Sequence, residues 1–115
     1  MLKNETDELI KVIIADDHVL YRAGVKTALS SKKDIKVIGE ADNGMHLLNM
    51  LKMTPVDVIL LDIQMPIMDG ISALPEIKKL YPEMKIIIIT MHNDDSLIFD
   101  LIHKKNLSTI TLVLV

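Results

Sequence analysis

The feature that most constrains this chain is a rhythm: short apolar runs of strand length alternate with stretches of helical spacing. Residues 11–15 read as a buried strand that stops at Asp16-Asp17. Residues 18–30 carry Val19, Ala23 and Leu29 at helical spacing. Residues 35–38 form a second short strand. Residues 44–53 hold Met45, Leu47, Leu48 and Leu51 in helical rhythm, and Pro55 closes that helix. Residues 56–61 are a third strand, stopping at Asp62. A turn rich in Pro, Gly and Met (63–70) leads into a helix near 72–80, with Ser72 expected as its N-cap so that Pro75 falls in the first turn. Residues 85–89 are a fourth strand ending at Thr90, residues 95–105 are helical, and 110–115 are a candidate fifth strand.

Strands apolar on both faces, alternating with helices, require a parallel sheet covered on both sides. A chain of 115 residues supports one such domain. The core is built from Ile, Leu, Val and Met, because the chain has one Phe, two Tyr and no Trp. A net charge of −3 argues against nucleic-acid binding by these residues, and the lack of cysteine excludes disulfides and thiolate chemistry. No apolar run reaches the roughly 18 residues of a membrane span, and residues 1–8 do not read as a signal peptide. The expected location is cytoplasmic.

Ligands of open α/β sheets bind beyond the carboxyl ends of the strands. Those ends carry Asp16, Asp17, Asp62 and Thr90. Acids converging at one edge repel one another unless a cation or protons neutralise them, and all-oxygen ligation selects a hard ion such as Mg²⁺. With charge so reduced, a carboxylate can attack a phosphoryl donor, and a neighbouring hydroxyl can hydrogen-bond the transferred group. Asp62 is the natural nucleophile and Thr90 the natural hydroxyl. Each has a plainer reading: Asp-Asp after a strand commonly caps a helix, Asp62 is a loop acid, and Thr90 ends a strand. Their joint placement favours chemistry. His18 and His92 lie near the acids and are conceivable metal ligands, but the simpler expectation is that His18 starts the helix and His92 sits in a solvated loop. Met45, Met50 and Met53 read as core and helix surface, and the lysine pairs 32–33, 78–79 and 104–105 as solvated faces.

The strings Ile14-Ala-Asp-Asp-His18, Leu60-Leu-Asp-Ile-Gln-Met-Pro-Ile-Met-Asp-Gly70 and Ile87-Ile-Ile-Thr-Met-His92 resemble the successive signatures of response-regulator receiver domains. They are most similar to the subgroup that precedes a LuxR-type helix-turn-helix. The resemblance implies a flavodoxin-like, doubly wound, five-stranded parallel sheet of order 2-1-3-4-5. Residues 1–10 would be an extension and 11–115 the receiver, atypical from about residue 103 and lacking a fifth helix. It further implies that Asp62 accepts phosphate from a sensor histidine kinase and that Asp17 and Asp62 ligate Mg²⁺. Asp16 would support the ion through water. Gln64 would offer its backbone carbonyl to the metal and its side chain to the phosphate. Thr90 would move toward the phosphoryl group, and Pro66 and Gly70 would shape the loop. No conventional enzymatic activity is implied beyond self-phosphorylation and hydrolysis. DNA would be reached only through a region outside these residues.

The chain departs from that pattern near its end. The family's lysine beside the phosphate falls, by counting, at Leu112, and Thr109 stands where a switch aromatic is expected. Lys104 and Lys105 precede the last strand and lie at its wrong end to substitute. Residues 110–115 are therefore expected to be disordered, paired with another chain, or exchanged in a domain-swapped homodimer. An alternative function follows: a phosphorylation-independent pseudo-receiver that keeps the acid pocket and has lost the switch. A phosphatase of the haloacid-dehalogenase kind is remote, since that family wants Asp-x-Asp where this chain has Asp16-Asp17-His18.

Overall fold

The computed structural model describes residues 9–90 and 110–114. Along the chain run β1 (Ile10–Ala15), α1 (Val19–Ser30), β2 (Ile35–Ala41), α2 (Gly44–Met53), β3 (Val58–Asp62), α3 (Gly70–Leu80), β4 (Lys85–Thr90) and β5 (Ile110–Leu114). The five strands form one sheet of order β2-β1-β3-β4-β5, parallel throughout, as expected. Parallel crossovers are right-handed. The chain moves one way across the sheet from β1 to β2 and the other way thereafter, so α1 lies on one face and α2 and α3 on the other. The point where direction reverses, between β1 and β3, is where the acids emerge.

One face holds the core. Ile13 and Ala15 of β1, Ile59 and Leu61 of β3, and Ile86 and Ile88 of β4 pack with Leu47 and Leu51 of α2 and Ala73, Leu74 and Ile77 of α3. Asn43 caps α2 by accepting from the His46 amide at 2.8 Å. Met50 packs on the core while Met53 is solvent-exposed, in keeping with a mixed role for the methionine stripe.

Three sequence expectations need correction. The helix after the turn begins at Gly70, with Asp69 as its N-cap accepting from the Ser72 amide at 2.7 Å. Ser72 therefore lies inside the first turn and Pro75 in the helix body. Asp and Ser cap about equally well, so the fit of Gly70 in the close approach described below decides where the helix starts. Lys78 is not a solvated residue: it is buried, and its ammonium donates to the carbonyls of Met84 and Pro82 beyond the end of α3. Finally, β5 pairs in parallel with β4 of the same chain, Ile86 opposite Ile110 and Thr90 opposite Leu114. Within the single chain it is therefore paired. The helix expected at 95–105, together with His92, Lys104, Lys105 and Thr109, lies outside the described residues. No helix among the described residues is long and apolar enough to cross a membrane.

Candidate functional site: an acidic pocket at the carboxyl edge

β1 and β3 are adjacent in the sheet, with Ala15 paired to Leu61. That register brings Asp16 and Asp17 level with Asp62, the last residue of β3. One ligating atom from each of Asp16, Asp17, His18 and Asp62 lies within 4.8 Å of all the others. The acids are therefore one cluster, as the sequence reading required.

Their environments differ. Asp16 is nearly fully buried; its amide donates to the Ala41 carbonyl at 2.9 Å, and its Oδ1 accepts from the His18 amide at 2.8 Å. The Arg22 guanidinium donates to the Asp16 carbonyl oxygen and also to Glu40, whose second oxygen takes Lys26. Asp17 carries a buried Oδ1 with no hydrogen-bond partner. Asp62 accepts from the Gln64 amide at 3.2 Å. Burial, then the negative charge of Asp16, pushes the Asp62 carboxyl up to about 6, against a usual 3.8.

The loop after Asp62 is held tightly. Met68 donates to the Pro66 carbonyl at 2.7 Å, closing a three-residue turn around Ile67, which sits at φ 68°. A left-handed conformation is costly for a β-branched residue. Gly44, at the start of α2, donates to the Met68 carbonyl at 2.7 Å, and Gly70 donates to Ile63 at 2.8 Å. A Cβ on Gly70 would overlap the Asp62 carbonyl oxygen, so only glycine allows α3 to begin there. Gln64 and Pro66 line an open cleft of about 540 Å³ beside the acids, together with Asp17, His18 and Asp69.

Thr90 ends β4, one residue past Ile89, the partner of Asp62. It therefore reaches the same sheet edge. At that level of β5 stands Leu114, and Leu112 pairs with Ile88 further back, so no residue of the strand Ile-Thr-Leu-Val-Leu is cationic.

The residue that sequence reasoning weighed too lightly is His18. It does start α1, yet its side chain makes no capping hydrogen bond. The ring turns into the pocket instead, placing Nδ1 at 2.9 Å from Asp16, 3.3 Å from Asp17 and 3.5 Å from Asp62. The hydrogen bond to Asp16, then the charge of Asp17, raises its pKa above the usual imidazole value. A histidine next to an acid pair was the available signal.

An acid-tipped parallel sheet with a fixed loop after β3 matches known proteins over nearly its whole length. The family model described as the response regulator receiver domain matches residues 12–111. The chain is 38% identical over 85 residues to an uncharacterized transcriptional regulatory protein, YhcZ, of Bacillus subtilis, covering 74% of this chain and 40% of that one. Its structure is similar to the signal receiver domain of the response regulator NarL of Mycobacterium tuberculosis, with TM-score 0.78 and 31% identity over 91% of this chain and 84% of the other. It is also similar to RcsB of Salmonella enterica serovar Typhimurium bound to a promoter with phosphomimetic BeF₃⁻, with TM-score 0.76 and 30% identity over 90% of this chain and 52% of the other. The chain belongs to the response regulator receiver domain family of two-component signalling. It spans less than half the length of the transcriptional regulators it matches.

Proposed function

We propose that this receiver accepts a phosphoryl group on Asp62 from a phosphohistidine of a sensor kinase. The observation carrying this reading is the convergence of Asp16, Asp17 and Asp62 within one 4.8 Å cluster beside an open cleft. The pocket also suits a divalent cation: Asp17 has a buried oxygen without a hydrogen-bond partner, and burial together with the charge of Asp16 holds the Asp62 carboxyl at about 6. Asp17, Asp62 and the Gln64 carbonyl would hold Mg²⁺, with Asp16 supporting through water. When bound, such an ion offsets charge on the acids and on the transferring group.

In the transfer, an Asp62 oxygen forms a bond to phosphorus while the phosphorus–nitrogen bond of the donor breaks and imidazole leaves with its electron pair. A protonated carboxyl is a poor nucleophile, so Asp62 must be ionised to react. The Thr90 hydroxyl donates a hydrogen bond to the product and reports its arrival. The chain's own chemistry is limited to this transfer and its hydrolysis. The intact regulator would act in the cytoplasm, reaching DNA through a segment beyond these residues, by analogy with the promoter-bound RcsB structure.

The test uses Mg²⁺ with beryllofluoride or acetyl phosphate, read by NMR shifts and intact mass. An adduct that Asp62→Asn abolishes is expected; unchanged spectra in both proteins would overturn phosphoacceptance. One observation favours a second reading, the pseudo-receiver: β5 offers leucine, not a cation, opposite Thr90. Under that reading, an adduct forms on Asp62 without shifts at β4, or does not form at all.

A further inference from the structure

We propose that His18 is a nitrogen ligand of the acid pocket, so that the site favours imidazole-binding divalent ions, Zn²⁺ above all, over Mg²⁺. This rests on the reading of the pocket as a cation site and specifies which ion it prefers.

The geometry is that of a coordination shell rather than of one ion pair. His18 Nδ1 hydrogen-bonds Asp16 at 2.9 Å and stands 3.3 and 3.5 Å from oxygens of two further aspartates, Asp17 and Asp62. Ligands bound at about 2.1 Å from a common ion stand roughly 3.0 Å apart at octahedral angles and roughly 3.4 Å apart at tetrahedral ones. All three separations fall close to that interval. The ring is not engaged by the helix: it makes no capping bond to α1, and its hydrogen bond, to Asp16, lies within the cluster itself. Asp17 supplies a buried oxygen with no other partner, and it is one of the three oxygens that face Nδ1.

The donor set then decides the ion. Carboxylate and carbonyl oxygens alone suit Mg²⁺, which dehydrates reluctantly and takes imidazole poorly. Carboxylates joined by one imidazole suit the later first-row ions. Arg22, one turn along α1, is engaged by the Asp16 carbonyl and by Glu40. That ties the first turn of α1, and with it His18, to the edge of the sheet.

The test is calorimetric titration of the protein with Mg²⁺ and with Zn²⁺, beside pulsed EPR of the Mn²⁺ complex. His18→Ala is expected to weaken Zn²⁺ at least about tenfold while moving Mg²⁺ less than about twofold. His46→Ala, which alters an exposed imidazole paired with Asp42, should change neither. The Mn²⁺ complex should show ¹⁴N coupling from a bound imidazole that His18→Ala removes. Because the wild-type EPR signal needs no variant, a poorly folded His18→Ala leaves the test intact. Equal loss for both ions, absence of the nitrogen coupling, or tighter binding in His18→Ala would each overturn the proposal. The last would mean that the ring only stands in for the cation. If no divalent ion binds, and Asp17→Asn and Asp62→Asn change nothing, the cation-site reading itself fails.

Discussion

Across β3 and β4, the two faces of the sheet are unequally covered. Toward α2 and α3, Ile59, Leu61, Ile86 and Ile88 are each at most 1% exposed. On the opposite face, Val58, Leu60, Ile87 and Ile89 of the same strands are only half-buried. The helices repeat the contrast. α3 buries Ala73, Leu74 and Ile77, whereas α1 buries no residue; Arg22, Val25 and Leu29 form its half-buried inner stripe, and Leu20 is 88% exposed. α1 is held to β1 and β2 in good part by polar contacts, with Arg22 on the Asp16 carbonyl and both Arg22 and Lys26 on Glu40. The lesson is that an apolar strand sequence fixes what a sheet face can bury, while the helix above it decides what is buried.

The largest expected effect lies on the closed face. Ile59→Ala or Ile88→Ala should cost about 2–5 kcal/mol in urea unfolding, and Leu60→Ala or Ile87→Ala roughly 1 kcal/mol, because a half-buried side chain leaves little cavity. Equal losses would dissolve the contrast.

At the rim where the faces meet, Asp62 is held at about 6 in the fold against 3.8 as its ordinary value. The folded state then keeps this proton longer than the unfolded chain. Stability from this group therefore falls as pH rises from about 4 to about 6 and stays low above. The raised imidazole of His18 acts in the same sense, its contribution present below 6.5 and lost above its folded pKa. Asp62→Asn should raise stability at pH 7 by about 1–2 kcal/mol, allowing for partial screening by water. It should also flatten the acid limb of a stability–pH curve measured without divalent ions.

On the open face the prediction is a reversal of the usual hierarchy. Arg22→Ala should cost about 1–2 kcal/mol, since it removes charge-assisted hydrogen bonds. Leu20→Ser should stay within about 0.5 kcal/mol. Thermal melts of the two variants check the order; a larger loss for Leu20→Ser would mean that α1 is anchored by its apolar side after all.

Much of this was legible in the chain. Runs such as Val58-Ile-Leu-Leu and Lys85-Ile-Ile-Ile-Ile announced strands, and the acids at their ends announced the pocket, because both signals are local. What was not legible depended on convergence. The His18 ring finds three carboxylates only once β1 and β3 are side by side. The burial of Lys78 needs the carbonyls beyond α3 to fold back over it. The start of α3 turned on competition between two adequate caps, Asp69 and Ser72, settled by the fit of Gly70. The unequal faces were legible only through the expected lack of a fifth helix and not from the strands, since Leu60 and Leu61 are chemically identical.

The junction at Gly70 makes α3 a lever. With no side chain between that residue and the backbone of Asp62, there is nothing soft to absorb a displacement of the β3 tip. An eleven-residue helix is about 16 Å long. A tilt of about 4° at its base would carry the far end, beside Lys78 and Tyr81, roughly 1 Å sideways.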